Sequence, residues 1–128
     1  MTTHRVIVLA LERVLPIDLG IPTQIFKRRP NTPYQLTVCG TARGSVRTSA
    51  GFTLGVAAGL GILEKADTII IPGYDGYQRP PPPAVAAALK RAAHAGARIA
   101  SICTGAFALA AAGLLDGRTV TTPLGERR

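Results

Sequence analysis

Tryptophan is absent, and Phe, Tyr and Trp together make up 5% of the chain. Any core must therefore be assembled from Ala, Val, Leu and Ile. Two cysteines, Cys39 and Cys103, cannot build a disulfide framework. They and the widely separated His4 and His94 lack the spacing of a metal site, so neither a metal nor a cofactor is expected. No apolar run reaches the ~20 residues a membrane span requires, and no hydrophobic signal region follows Met1. The expectation is a soluble, cytoplasmic protein without a membrane partner. Acidic residues are scarce, 7 against 15 Lys and Arg, which leaves a net charge of +8. Such a charge favours polyanions non-specifically. Yet the basic residues are scattered, apart from Lys27-Arg28-Arg29 and Arg127-Arg128, and no aromatics are interleaved with them. That pattern reads as a solvated surface rather than a nucleic-acid groove.

What is present is 47% hydrophobic and punctuated by 14 Gly and 10 Pro, which describes a folded, turn-rich single domain. Residues 5–11 form a nearly continuous apolar run, the signature of a strand covered on both faces. Residues 15–28 follow with helical spacing that gives Leu19, Ile25 and Phe26 a shared buried side. Asp18 can cap or start that helix, and Pro22 falls near its first turn. A strand over 34–39 and a small β excursion over 44–49 and 52–55 come next. Residues 59–65 make a weak helical turn before an apolar strand at 68–71, which Pro72-Gly73 ends. The four prolines 80–83 form a rigid loop, and the last of them starts a helix over 84–94. A proline-rich ligand for another domain is the alternative reading of that run. A short buried strand over 97–102, a helix over 106–112 with Gly113 as C-cap, and a strand over 118–122 complete the order. Alternation of this kind predicts an α/β fold with a mostly parallel sheet flanked by helices, flavodoxin-like.

Cys103 stands between a strand and a helix of small residues, in Ser101-Ile102-Cys103-Thr104-Gly105-Ala106. A residue there occupies a tight strand-to-helix turn, as in a nucleophile elbow. The N–H groups of the following helix would favour its thiolate. The plain alternative is a buried structural thiol. In α/β folds, ligands bind outside the carboxyl ends of the strands. Three segments converge there: the loop with Asp18, the loop Pro72-Gly73-Tyr74, and the elbow Cys103-Thr104-Gly105.

The joint pattern resembles the ThiJ/PfpI, or class I glutamine-amidotransferase-like, superfamily. It is carried by Asp18-Leu19 with Pro22 and Phe26, by Val46 to Gly51, by Ala66 to Gly73, by Ser101 to Phe107, by Ala112 to Arg118, and by Thr121-Thr122. Within the superfamily it is most similar to the N-terminal domain of GlxA-like transcriptional regulators, which carry an AraC-type DNA-binding domain behind it. Isonitrile hydratases share the Asp and Cys-Thr pattern. The resemblance implies that Cys103 is the elbow cysteine and Asp18 the acid beside it, a proton handler if the chain is an enzyme. It implies a ligand site of Asp18, Gly73, Tyr74, Cys103, Thr104 and Gly105, with N–H groups of Gly73 and Thr104 turned toward an anion.

Related proteins place a histidine just after the Thr-Thr pair. Here Pro123 follows, and no histidine comes after His94. The expectation is thus a ligand-sensing, self-associating domain over 1–122, incomplete at its C-terminal end, with a polar tail at 123–128. It would be the remnant of an AraC-type regulator that meets DNA only through a module missing here. The alternative is a cysteine-dependent enzyme of isonitrile-hydratase or amidase type. A third reading, a redox-responsive module, uses the same cysteine.

Overall fold

A continuous apolar strand needs cover on both faces, and His4–Leu9, with its last four residues buried, has it. The computed structural model describes residues 2–114. Along them run β1 (His4–Leu9), α1 (Pro16–Phe26), β2 (Tyr34–Cys39), β3 (Gly44–Arg47) and β4 (Thr53–Val56). A 3₁₀ turn (Leu60–Lys65) leads to β5 (Thr68–Ile71), α2 (Pro83–His94) and β6 (Arg98–Ser101). A second 3₁₀ turn (Cys103–Gly105) then opens α3 (Ala106–Ala111). Four strands form one sheet in the order β2-β1-β5-β6, and every pairing in it is parallel. The strands β3 and β4 make a separate antiparallel hairpin. The α/β fold with helices against a parallel sheet is as the sequence predicts. The expected strand over 118–122, the Thr121-Thr122 pair and the tail lie outside the described residues.

Strand alternation sends Ile7, Leu9, Ile69 and Ile71 to one face, where they pack with Leu63, α2 and α3. On α2 the buried residues are Val85, Ala88, Leu89 and Ala92, one stripe at helical spacing. Each large aliphatic side chain so buried contributes about 1.5–3 kcal/mol. Val6, Val8 and Ile70 face the other way, against Leu19 and Phe26 of α1. The scarce aromatics are used as packing pieces: Phe26 meets Tyr34 edge-on with ring centroids 4.9 Å apart.

Several local expectations change. Pro22 lies well inside α1 rather than in its first turn, and it is buried. It has no N–H to give the Asp18 carbonyl one turn back, so packing overrides the helix-breaking tendency there. Ile25 does not share the buried side with Leu19 and Phe26; it is 53% exposed, alongside Ile17 and Ile21. The strand expected to be buried before Cys103 is half open: Arg98 and Ala100 are exposed. The reason is topological, since β6 pairs only with β5 among the described residues.

Candidate functional site

The site is assembled at the carboxyl end of the sheet by a short crossing segment, residues 13–15. Arg13 N–H donates to the Arg47 carbonyl at 2.7 Å, and Ser49 N–H donates to the Val14 carbonyl at 2.9 Å. On its other edge, Leu15 N–H donates to the Gly73 carbonyl at 2.9 Å, and Asp75 N–H donates to the Arg13 carbonyl at 3.0 Å. The segment thus stitches the hairpin to the loop after β5, and it delivers the first turn of α1 to Gly73. Leu15, not Asp18, is the N-cap of α1, and no side chain caps the helix. The Asp18 carboxylate instead reaches across the chain, where its Oδ2 accepts the Gly73 N–H at 3.2 Å. That bond replaces the capping role open to Asp18 from its sequence position, and it occupies the Gly73 N–H.

Gly73 is required by space. A Cβ there would lie 2.6 Å from Asp18 Oδ2 and 2.9 Å from Thr104 Oγ1. Two functional side chains therefore close on one α-carbon from α1 and from the elbow. Thr104 is buried, and its hydroxyl accepts the Tyr74 N–H at 3.0 Å while donating to the Tyr74 carbonyl at 3.1 Å. The elbow is thereby clipped to the loop after β5. Ile102 N–H donates to the Ile71 carbonyl at 2.9 Å. A Cβ on Gly105 would collide with that same carbonyl oxygen, so only glycine lets the turn lie on the end of β5.

Cys103 opens the 3₁₀ turn with φ +54°, a left-handed backbone that few residues other than glycine adopt. It is half-buried, so its thiol is not a sealed core group. Cys39 is the contrast: it is fully buried, and burial pushes its thiol up to about 12. Burial likewise raises the Tyr74 phenol to about 12. Both histidines are elsewhere. His4 starts β1, where its Nε2 is 2.8 Å from Thr68 Oγ1, and His94 ends α2. Those positions are at the amino end of the parallel strands, opposite to the elbow at their carboxyl end. Among the described residues no three His, Cys, Asp or Glu side chains gather to hold a metal.

The structure therefore brings Asp18, Gly73 and Thr104 together beside the Cys103-Gly105 turn, with the Tyr74 backbone as the clip. The Tyr74 side chain is buried and belongs to the core cluster that also holds Leu11 and Leu63. Sequence reasoning passed over the 13–15 segment. Its role is played by backbone groups, so no side-chain pattern marks it.

A parallel sheet whose carboxyl end presents a cysteine on a left-handed strand-to-helix turn, beside a loop whose glycine N–H is held by an acid from the first helix, defines a recognisable class of α/β protein. Residues 4–127 match the model of the DJ-1/PfpI family, and the chain belongs to that family. It is 36% identical over 122 residues to an uncharacterized protein in the cpoL 5' region of Streptomyces lividans, which covers 93% of this chain and 86% of that protein. Its fold is similar to that of a DJ-1 superfamily protein from Agrobacterium tumefaciens, with a TM-score of 0.76 at 14% identity over 93% of this chain. It is also similar to an AraC family transcriptional regulator from Pseudomonas putida, with a TM-score of 0.67 at 20% identity over 90% of this chain. The chain spans 63% and 64% of the lengths of those two structures. No helix among the described residues is long and apolar enough to cross a membrane.

Proposed function

We propose that this domain senses a small molecule and self-associates, as the sensing part of an AraC-type regulator. The observation that carries the reading is the composition of the site. An acid, a glycine N–H and a threonine hydroxyl are locked beside the elbow, while both histidines of the chain lie at the amino end of the sheet. That set is bonded internally, Asp18 to the Gly73 N–H and Thr104 to the Tyr74 backbone, which makes a fixed rim beside the half-buried Cys103 against which a ligand could be held. It offers Cys103 no imidazole as a general base. The likeness to the Pseudomonas putida regulator supports the setting. DNA reading would belong to a separate module, and the chain alone is expected to give no sequence-specific retardation of DNA in a gel.

The second reading is a cysteine-dependent enzyme acting on an isonitrile or amide, and the φ of Cys103 favours it. Strained backbone of this kind recurs at nucleophiles. Cys103 would attack the substrate carbon and Asp18 would handle the proton. Turnover assays with isonitriles and amides separate the two. Sensing predicts none; turnover lost in Cys103→Ala would establish the enzyme and end the sensing reading.

A further inference from the structure

The basic residues are scattered along the sequence, but the fold gathers many of them at one end. All four strands of the sheet start there, and α1 and α2 finish there. Arg5 lies at the start of β1, and Arg98 opens β6. Asp67 joins their backbones: its N–H donates to the Arg5 carbonyl and its carbonyl accepts the Arg98 N–H, both at 2.9 Å. Lys65 ends the 3₁₀ turn before β5. Lys27, Arg28 and Arg29 follow the last turn of α1. All six residues are exposed. Two hollows, of about 480 and 230 Å³, flank the start of β2 and share Gln35. Arg28 and Arg29 line the first, Arg5 and Lys65 the second.

Little acid opposes this rim. Glu64 is paired with Arg91 at 3.4 Å, and the Asp67 carboxylate accepts the Arg5 N–H at 2.8 Å. Helix C-termini attract basic side chains, which accounts for Lys27 to Arg29, with Arg29 donating to the Gln24 and Ile25 carbonyls. Arg5, Lys65 and Arg98 stand on strands and a 3₁₀ turn, where no helix dipole calls for them. At the carboxyl end the charges nearly cancel, since Arg13, Arg43, Arg47 and Arg79 stand among Glu12, Asp18 and Asp75. Among the described residues the positive excess therefore lies at the amino end, away from Cys103. The rim offers no open ring for bases to stack on, as single strands require. Tyr34 is half-buried, edge-on to Phe26 and His4 with centroids 4.9 and 5.8 Å away. A lipid surface would need apolar anchors. The exposed large hydrophobics are Ile17, Ile21, Ile25 and Phe52, and none is on β1, β6 or the turn with Lys65. Charge without rings or anchors suits a regular array of phosphates.

We propose that the amino end of the sheet is a sequence-independent docking face for the phosphate backbone of duplex DNA. The guanidinium and ammonium groups of the rim take phosphate oxygens and release the counterions bound there. Four strands make a rim about 14 Å across, and a duplex carries one charge per about 1.7 Å of its axis, so several phosphates are met at once. The elbow, at the other end of the strands, stays clear of the DNA. The inference goes beyond the sensing reading and does not depend on it. In a regulator, this face would hold the sensing domain against DNA that another module reads.

The test uses the whole chain and a fluorescein-labelled duplex of scrambled sequence, with binding read by anisotropy. Binding should be micromolar at about 50 mM salt and weaken about 100-fold by about 200 mM, and unrelated duplexes should compete equally. Lys27→Gln with Arg28→Gln, and separately Lys65→Gln with Arg98→Gln, should each weaken binding at least about tenfold and lower the salt slope by about two. Arg47→Gln with Arg79→Gln removes the same net charge from the carboxyl end and should change affinity less than about threefold, because salt screens distant charges. The proposal is overturned if the duplex does not bind at the lower salt, or if the carboxyl-end pair weakens binding as much as the rim pairs. A single strand that binds more tightly than the duplex would overturn it as well. So would vesicles containing phosphatidylserine that bind more tightly than the duplex, which would assign the rim to a membrane surface. None of these outcomes bears on the sensing reading, which stands or falls by the turnover assays.

Discussion

Cys103 is held at φ +54°, a region that costs an L-residue about 1–2 kcal/mol. Glycine adopts it freely, so Cys103→Gly should raise stability by about 1 kcal/mol in urea melts, whereas Cys103→Ala keeps the strain. A loss of stability in the glycine variant would mean that thiol packing outweighs the backbone term. The second thiol behaves differently because its surroundings differ. Cys39 is sealed in the core, with its thiol raised from 9.0 to about 12. Iodoacetamide at neutral pH should therefore label Cys103 in the folded protein and reach Cys39 only after unfolding; mass spectrometry of the peptides reads this directly. The sign of the pH effect follows. The folded state keeps the Cys39 proton that the unfolded state releases, so stability is fully present below pH 9 and falls as the pH rises toward 12. The place of Cys103 on a strand-to-helix hinge was legible in the order of apolar and small residues. Its left-handed φ was not, because no residue type announces it at a cysteine.

At the scale of elements, α1 is positioned by what its first turn touches rather than by its own amphipathicity. The link is the Asp18 carboxylate on the Gly73 N–H, 3.2 Å long. Asp18→Asn retains an acceptor oxygen and should leave stability nearly unchanged, while Asp18→Ala should cost about 1 kcal/mol by thermal melting. If the two variants were equally damaging, the negative charge rather than the hydrogen bond would hold the helix. Gly105 is legible in the sequence as the residue that lets the helix approach the sheet closely, whereas Gly73 reads as a strand terminator, and the structure shows both to be spacers. The clash of a Gly105 side chain is with backbone, which cannot rotate away, so Gly105→Ala is the more damaging of the two. The parallel strands were readable because buried β-strands are apolar throughout, as in Thr68–Ile71. The interior position of Pro22 was not, since it depends on tertiary packing that compensates a missing hydrogen bond.

Across the whole molecule, the uncovered side of α1 stands out. Ile17, Ile21 and Ile25 recur every fourth residue and are 71%, 50% and 53% exposed, which sets an apolar ridge on the outside of the helix. Asp18 is the only ionisable residue within α1, in a chain that carries +8 overall. The ridge itself is uncharged, and Lys27-Arg28-Arg29 follow at its end, where the Arg29 guanidinium donates to the Ile25 and Gln24 carbonyls. The net charge still repels at a distance, and salt screens it, with a Debye length near 10 Å at 0.1 M. Association through the ridge should therefore strengthen as salt rises, the reverse of an ion-paired interface. Light scattering of the chain across a salt series reads this. Replacing Ile21 and Ile25 together by Glu should abolish the concentration-dependent rise in mass at every salt level. Because both side chains are already in water, stability should change by no more than about 0.5 kcal/mol per site. Mass that grows with salt equally in the double variant would place self-association on another surface, and the exposed isoleucines would then stand as solvent-facing residues of the helix.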